Sequence, residues 1–206
     1  MAKGNSFATF LIIGPTCFFL GILFSSFPYD YHVLWSTPPD REPYYQILEN
    51  HLKFIHASPP IIARILHIAI GTGLLGFLTK LYKPSEANML FDGASLVLYM
   101  AGITVYITNI LKGLKVVTAG LYGQVELVEG ESIAAGTKLE AEDFISREDT
   151  LRVFAASNTI LALVLVGVLV LQAGQWYAQR KEEAEVAEMD QAAKEKKKEK
   201  ASKKKQ

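Results

Sequence analysis

Cysteine is almost missing from these 206 residues, with Cys17 the only one. No disulfide can form within the chain, and no thiolate zinc site can be built. The four histidines include no pair at the i, i+4 spacing of a helical metal site. No Walker loop, nucleophile elbow or His-Glu-x-x-His run occurs. Asp30 and His32 alone are too few groups for zinc or for general acid–base work. These absences argue against an enzyme and leave no cofactor or metal to expect. Formal net charge is zero, and nucleic acid is not an expected partner. Neither 28–58 nor 112–152 contains an Asn-x-Ser/Thr sequon, so glycosylation cannot report where they lie. Charge is also missing from Gly4 to Tyr29.

What is abundant is apolar residues, 50% of the chain, gathered in blocks instead of spread periodically. A hydrocarbon core of about 30 Å takes about 20 helical residues to cross. Four blocks are long enough, at about 7–27, 59–79, 90–111 and 153–177. The second contains Arg64 and His67, the third Asp92, and the fourth carries the run "TILALVLVGVLVLQ". The expected fold class is therefore all-α: a polytopic membrane protein with four transmembrane helices and a charged C-terminal tail. Residues 1–177 form the membrane domain and 178–206 a tail that is in part disordered. The first block exceeds the h-region of a signal peptide, about 7 to 15 residues, and is read as a retained span.

Charge distribution orients the spans. The tail has ten Lys or Arg against seven acids, the 112–152 loop five against eight, and the connection with Lys80 and Lys83 is basic. Positive residues favour the cytosolic side, so both termini and the 80–89 connection are expected there, with loops 28–58 and 112–152 opposite, in the lumen or exterior. In the first loop, Tyr44, Leu48, His51, Leu52 and Ile55 fall at helical spacing and predict an amphipathic helix at the interface. Pro59 and Pro60 start the second span where a missing N–H costs least. The second loop reads as a short hairpin around "GQVELVEGESIAAGTKLEAEDF", and Ser146 followed by Glu148 and Asp149 reads as a helix N-cap. Trp176 and Tyr177 mark the far interface of the fourth span. Lys203 and Lys204, four and three places from the C-terminus, match a dilysine retrieval signal, which is a receptor-read address and not an anchor.

"GTGLLG", Gly71 to Gly76, fits a dinucleotide fingerprint with Asp92 downstream, but it lies inside an apolar span, where its glycines allow close helix contact. In the third span Asp92, Ser95, Tyr99, Gly102, Tyr106 and Asn109 follow at steps of three and four, one helix face. A polar seam in a bilayer faces protein, either its own bundle or a client's helices. In the second span Arg64 and His67 share a face near the lumenal end, at the depth of Asp30, which suggests an Arg64–Asp30 pair.

"LFSSFPYDYHVLW" (23–35), "ITNILKGL" (107–114) and "AASNTILALVLVGVLVLQAGQWY" (155–177) together resemble the fungal endoplasmic-reticulum packaging chaperones for amino acid permeases. The matched positions are Pro28, Tyr29, Asp30, Tyr31 and His32 at the lumenal rim, Asn109 in span three, and Ser157, Asn158, Gln172, Trp176 and Tyr177 in span four. The resemblance implies four spans, cytosolic ends, a place in the endoplasmic-reticulum membrane, no enzymatic activity, permeases as clients, and a tail that works with vesicle coat components. At the rim, Pro28 is expected to end the first helix, Tyr29 and Tyr31 to sit at headgroup depth, and Asp30 to make a local polar contact. A small transporter or channel subunit is the alternative; it needs a polar path that spans one and four scarcely supply.

Overall fold

Each of the four apolar blocks lies within a helix long and apolar enough to cross a membrane. The computed structural model describes residues 3–82, 86–122 and 146–203, with side chains over 7–82, 89–122 and 146–196. Its elements are α1 (Lys3–Leu34), α2 (Glu42–His56), α3 (Pro60–Leu81), α4 (Glu86–Val105), a π-helical segment (Tyr106–Leu111), α5 (Lys112–Ala119) and α6 (Arg147–Lys203). Among the described residues there is no strand, and the fold is all-α. The hairpin expected around 123–145 lies outside the described residues, as does Lys204; Lys203 is placed only as helix backbone.

α1 does not stop at Pro28. The helix carries both Pro15 and Pro28 inside it and runs on to Leu34. Proline removes one backbone donor, but the last two turns are held by α2: Val33 is buried, Tyr29 stacks on His51 with ring centres 3.8 Å apart, and His32 stacks on Tyr44 at 4.4 Å. α2 forms where predicted, and it buries Tyr45, Leu48 and Leu52. These pack with Val33, Val117, Leu151, Phe154 and Ala155 in one of two cores. Tyr44, expected on the buried face, is only partly buried, and Ile55 is exposed.

The second core, Ile12, Phe19, Phe77, Tyr99, Tyr106, Leu161, Leu165 and Val168, lies among the four long helices. Two glycines of the "GTGLLG" run let them approach. A methyl on Gly73 would collide with the Tyr99 hydroxyl, and one on Gly76 would lie 2.8 Å from Ile12 and 3.0 Å from the Ala8 carbonyl oxygen. Gly71 faces open space. The meeting of Gly76, late in α3, with Ala8 and Ile12, early in α1, sets these helices antiparallel.

The third apolar block extends further than 111. After the π segment the chain continues as α5 and ends at Gly120, whose φ of +66° places it in the left-handed region that glycine tolerates. Ser146 caps α6 as the sequence suggests: its hydroxyl accepts the Asp149 N–H at 3.1 Å and donates to the Asp149 carboxylate at 2.8 Å. α6 then runs unbroken to Lys203. The tail is rich in Ala, Glu, Lys and Gln, all good helix formers, and its side chains from Lys181 to Lys196 are exposed.

Candidate functional site

The polar seam of α4 is tied to the fourth helix by a buried cluster at the tail end of the bundle. Lys80 lies 2.8 Å from Asp92, with side-chain exposures of 3% and 0%. Its ammonium also donates to the side-chain oxygens of Gln172 at 2.8 Å and Gln175 at 2.6 Å. The amide of Gln172 donates to Asp92 at 3.0 Å and Ser95 at 3.1 Å, and that of Gln175 donates to Asp92 at 2.7 Å. Lys80 is therefore not part of an exposed basic connection, as its place in the sequence suggested. A buried carboxylate without a cation is costly in a low-dielectric setting, and Lys80, one residue before the end of α3, is within reach.

Further along the seam, Tyr99 donates to the Ile70 carbonyl at 3.2 Å, Gly102 faces Leu161 and Val164, and Tyr106 is buried against Phe19 and His67. The π segment then adds a wider turn, with i→i+5 bonding that is frequent at functional sites. Within it, Asn109 donates to Ser157 at 3.1 Å. The next residue along α6, Asn158, donates to Asp30 at 2.9 Å. Asp30 is thus paired with α6, not with Arg64. Its Oδ1 has no hydrogen-bond partner although the residue is only 2% exposed.

At the α2 end, Arg147 bridges to Glu42 at 2.8 Å and Glu49 at 2.6 Å, and Tyr45 donates to Glu148 at 2.6 Å. Burial pushes the Glu49 carboxyl up, but hydrogen bonds from Lys53 and Arg147 outweigh it and hold the group below the ordinary range. Burial holds the His51 imidazole below its ordinary value.

Between these regions the bundle is open. α3 runs beside α1 and α4 through its second half, where Gly73, Gly76, Phe77 and Lys80 are buried. Its first half is exposed at Ile61, Ile62, Ile65 and Ile68. A cavity of about 890 Å³ is left between α1, α2, the start of α3, the π segment and α6. It runs from Ser58 and Pro59 at the rim to Phe19 and Tyr106 in the middle of the spans, and Asp30 and Asn158 are in its wall. Asp30 and Tyr106 stand out in the sequence, but the crevice they line does not.

A family model described as ER membrane protein SH3, the SHR3 chaperone family, matches residues 3–206. The chain belongs to that family. The match and the four apolar helices place the chain in the endoplasmic-reticulum membrane. It is also similar to the secretory component protein psh3 of the fission yeast Schizosaccharomyces pombe, with 23% identity over 167 residues, which cover 81% of this chain and 67% of that protein. No solved structure matches. In this member of the SHR3 chaperone family, the seam residues Asp92, Ser95, Tyr99, Gly102, Tyr106 and Asn109 all meet partners within the chain. Of the rim residues, Pro28 is inside α1, Tyr29 and His32 stack on α2, Asp30 faces the crevice and Tyr31 is exposed. Lys80 and Gln175 complete the buried cluster and had no signal in the sequence beyond a polar side chain near a span end.

Proposed function

We propose that this chain is a chaperone that assists amino acid permeases to fold in the endoplasmic-reticulum membrane and aids their packaging into COPII vesicles. The family match over residues 3–206, which includes all four long helices, carries the reading, and the likeness to a secretory component agrees with it. A polytopic client leaves polar interhelical groups without partners until its helices pack. A small bundle can cover them with weak contacts that the client's own helices later replace, so release is by competition and needs no catalytic site or nucleotide. Both termini face the cytosol in this reading, on the strength of the lysine-rich tail and Lys83. The tail engages coat components, and Lys203 and Lys204 serve retrieval.

In a strain lacking the protein, permeases are expected to be made but to aggregate in the endoplasmic reticulum, while unrelated secretory cargo moves normally. Native gels and plasma-membrane fractionation measure this. Normal arrival of permeases at the cell surface would overturn the reading, and solute flux through the purified protein in liposomes would favour the transporter alternative.

A further inference from the structure

We infer that the crevice between α1, α2, α3 and α6 is a docking site for one transmembrane helix that presents a neutral hydrogen-bond donor, such as an Asn or Gln amide, to Asp30. The inference rests on the chaperone reading above and names the client feature that this chain recognises.

Three observations select the occupant. The first is size. A helix about 10 Å across, rising 1.5 Å per residue, fills about 120 Å³ per residue, so about 890 Å³ accepts about two turns. The second is lining. Ile22, Leu23, Ile62, Leu66, Ile107 and Ile110 make the walls apolar, as a helix inside a bilayer requires. The third is chemistry. Asp30, a residue of the cavity wall, uses Oδ2 to accept from Asn158, while its Oδ1 is buried with no partner. A buried acceptor left unsatisfied is costly, and an acyl chain cannot satisfy it. A second-helix amide can. Lys115 also lines the cavity and disfavours a cationic occupant, so a neutral donor fits better than Lys or Arg.

The donor-bearing helix is also the chemistry of an unassembled membrane protein. An Asn or Gln meant to bond across a helix pair has no partner until that pair forms. The crevice offers a temporary one.

The test uses the full chain in nanodiscs and two synthetic transmembrane peptides of Leu and Ala, identical except for one Asn or one Leu placed at the depth of Asp30. The Asn peptide is expected to bind about tenfold tighter. Ala63→Trp, which fills the crevice without touching Asp30, is expected to weaken both peptides. Asp30→Leu together with Asn158→Leu replaces both partners of a buried pair by apolar groups, a change that is close to neutral for folding. It is expected to abolish the Asn preference and leave binding of the Leu peptide. A photocrosslinker at Ile62 should capture the Asn peptide, and one at Leu163 on the outer face should not. Equal binding of the two peptides overturns the proposal. So does capture at Ile62 of lipid, of a second copy, or of the chain's own 123–145 segment when the peptide is present. If permeases still aggregate in the deletion strain after such a result, the crevice inference falls and the chaperone reading stands.

Discussion

Lys80 and Asp92 set the energetics of the bundle at the level of single residues. Each is almost fully buried, and each is hydrogen-bonded by Gln172 and Gln175 as well as by the other. Removing one member of such a pair strands the other charge, a loss of about 3–5 kcal/mol, whereas removing both is far milder. Lys80→Met is therefore expected to destabilise the protein by that amount in detergent micelles. Lys80→Met with Asp92→Leu is expected to lose less than Lys80→Met alone. Thermal unfolding of the purified variants reads both, and a double variant worse than the single one would show that the glutamines, not the ion pair, hold the cluster.

At the scale of elements, α2 is docked by contacts that respond to pH. The Glu49 carboxyl is held low by Lys53 and Arg147, so its contribution is present above its ordinary value of 4.5 and is lost as pH falls through its lower docked value. The His51 imidazole is held below its ordinary value of 6.5 by burial, so once pH drops below 6.5 the released helix takes up the proton more readily than the docked one. Both effects loosen α2 in acid. Hydrogen exchange of α2 amides, corrected for intrinsic rates, is expected to rise between pH 7.5 and 5.5 relative to α1. His51→Phe, which keeps a ring over Tyr29 but cannot titrate, is expected to remove that rise. An unchanged rise in the variant would assign the transition to another group.

For the whole molecule, the division lies along α6. Its upper part supplies Ser157, Asn158, Gln172 and Gln175 to the bundle. Beyond Trp176 and Tyr177 it continues as helix for about 39 Å, taking 1.5 Å for each residue from 178 to 203, with its side chains exposed from Arg180 to Lys196. Truncation after Lys181 removes side chains that are exposed from Glu182 to Lys196 and is expected to shift stability by less than about 0.5 kcal/mol. Permeases are expected to stay unaggregated with this form and to enter budded vesicles more slowly. Native gels and an in vitro budding assay separate the two outcomes. Aggregation with the truncated form would place the folding function in the tail.

Local sequence suffices for the number of long helices, the amphipathic helix between the first two, the Ser146 cap and the face shared by Asp92, Ser95, Tyr99, Gly102, Tyr106 and Asn109. Each depends on local composition or on spacing within one helix, and lipid and backbone geometry act on those directly. Partners across helices were another matter. Asp30 had Arg64 at a matching depth, yet it meets Asn158, 128 residues away, because packing and not depth decides which faces touch. Pro28 looked like a helix end, but stacking of Tyr29 and His32 on α2 carries α1 past it. Lys80 counted with Lys83 as part of a basic connection, but α4 and α6 enclose it. Packing of the whole bundle is what makes α3 meet its neighbours through its second half, where Gly73 and Gly76 permit contact, and leaves the crevice open at its first; no stretch of sequence encodes the space between helices.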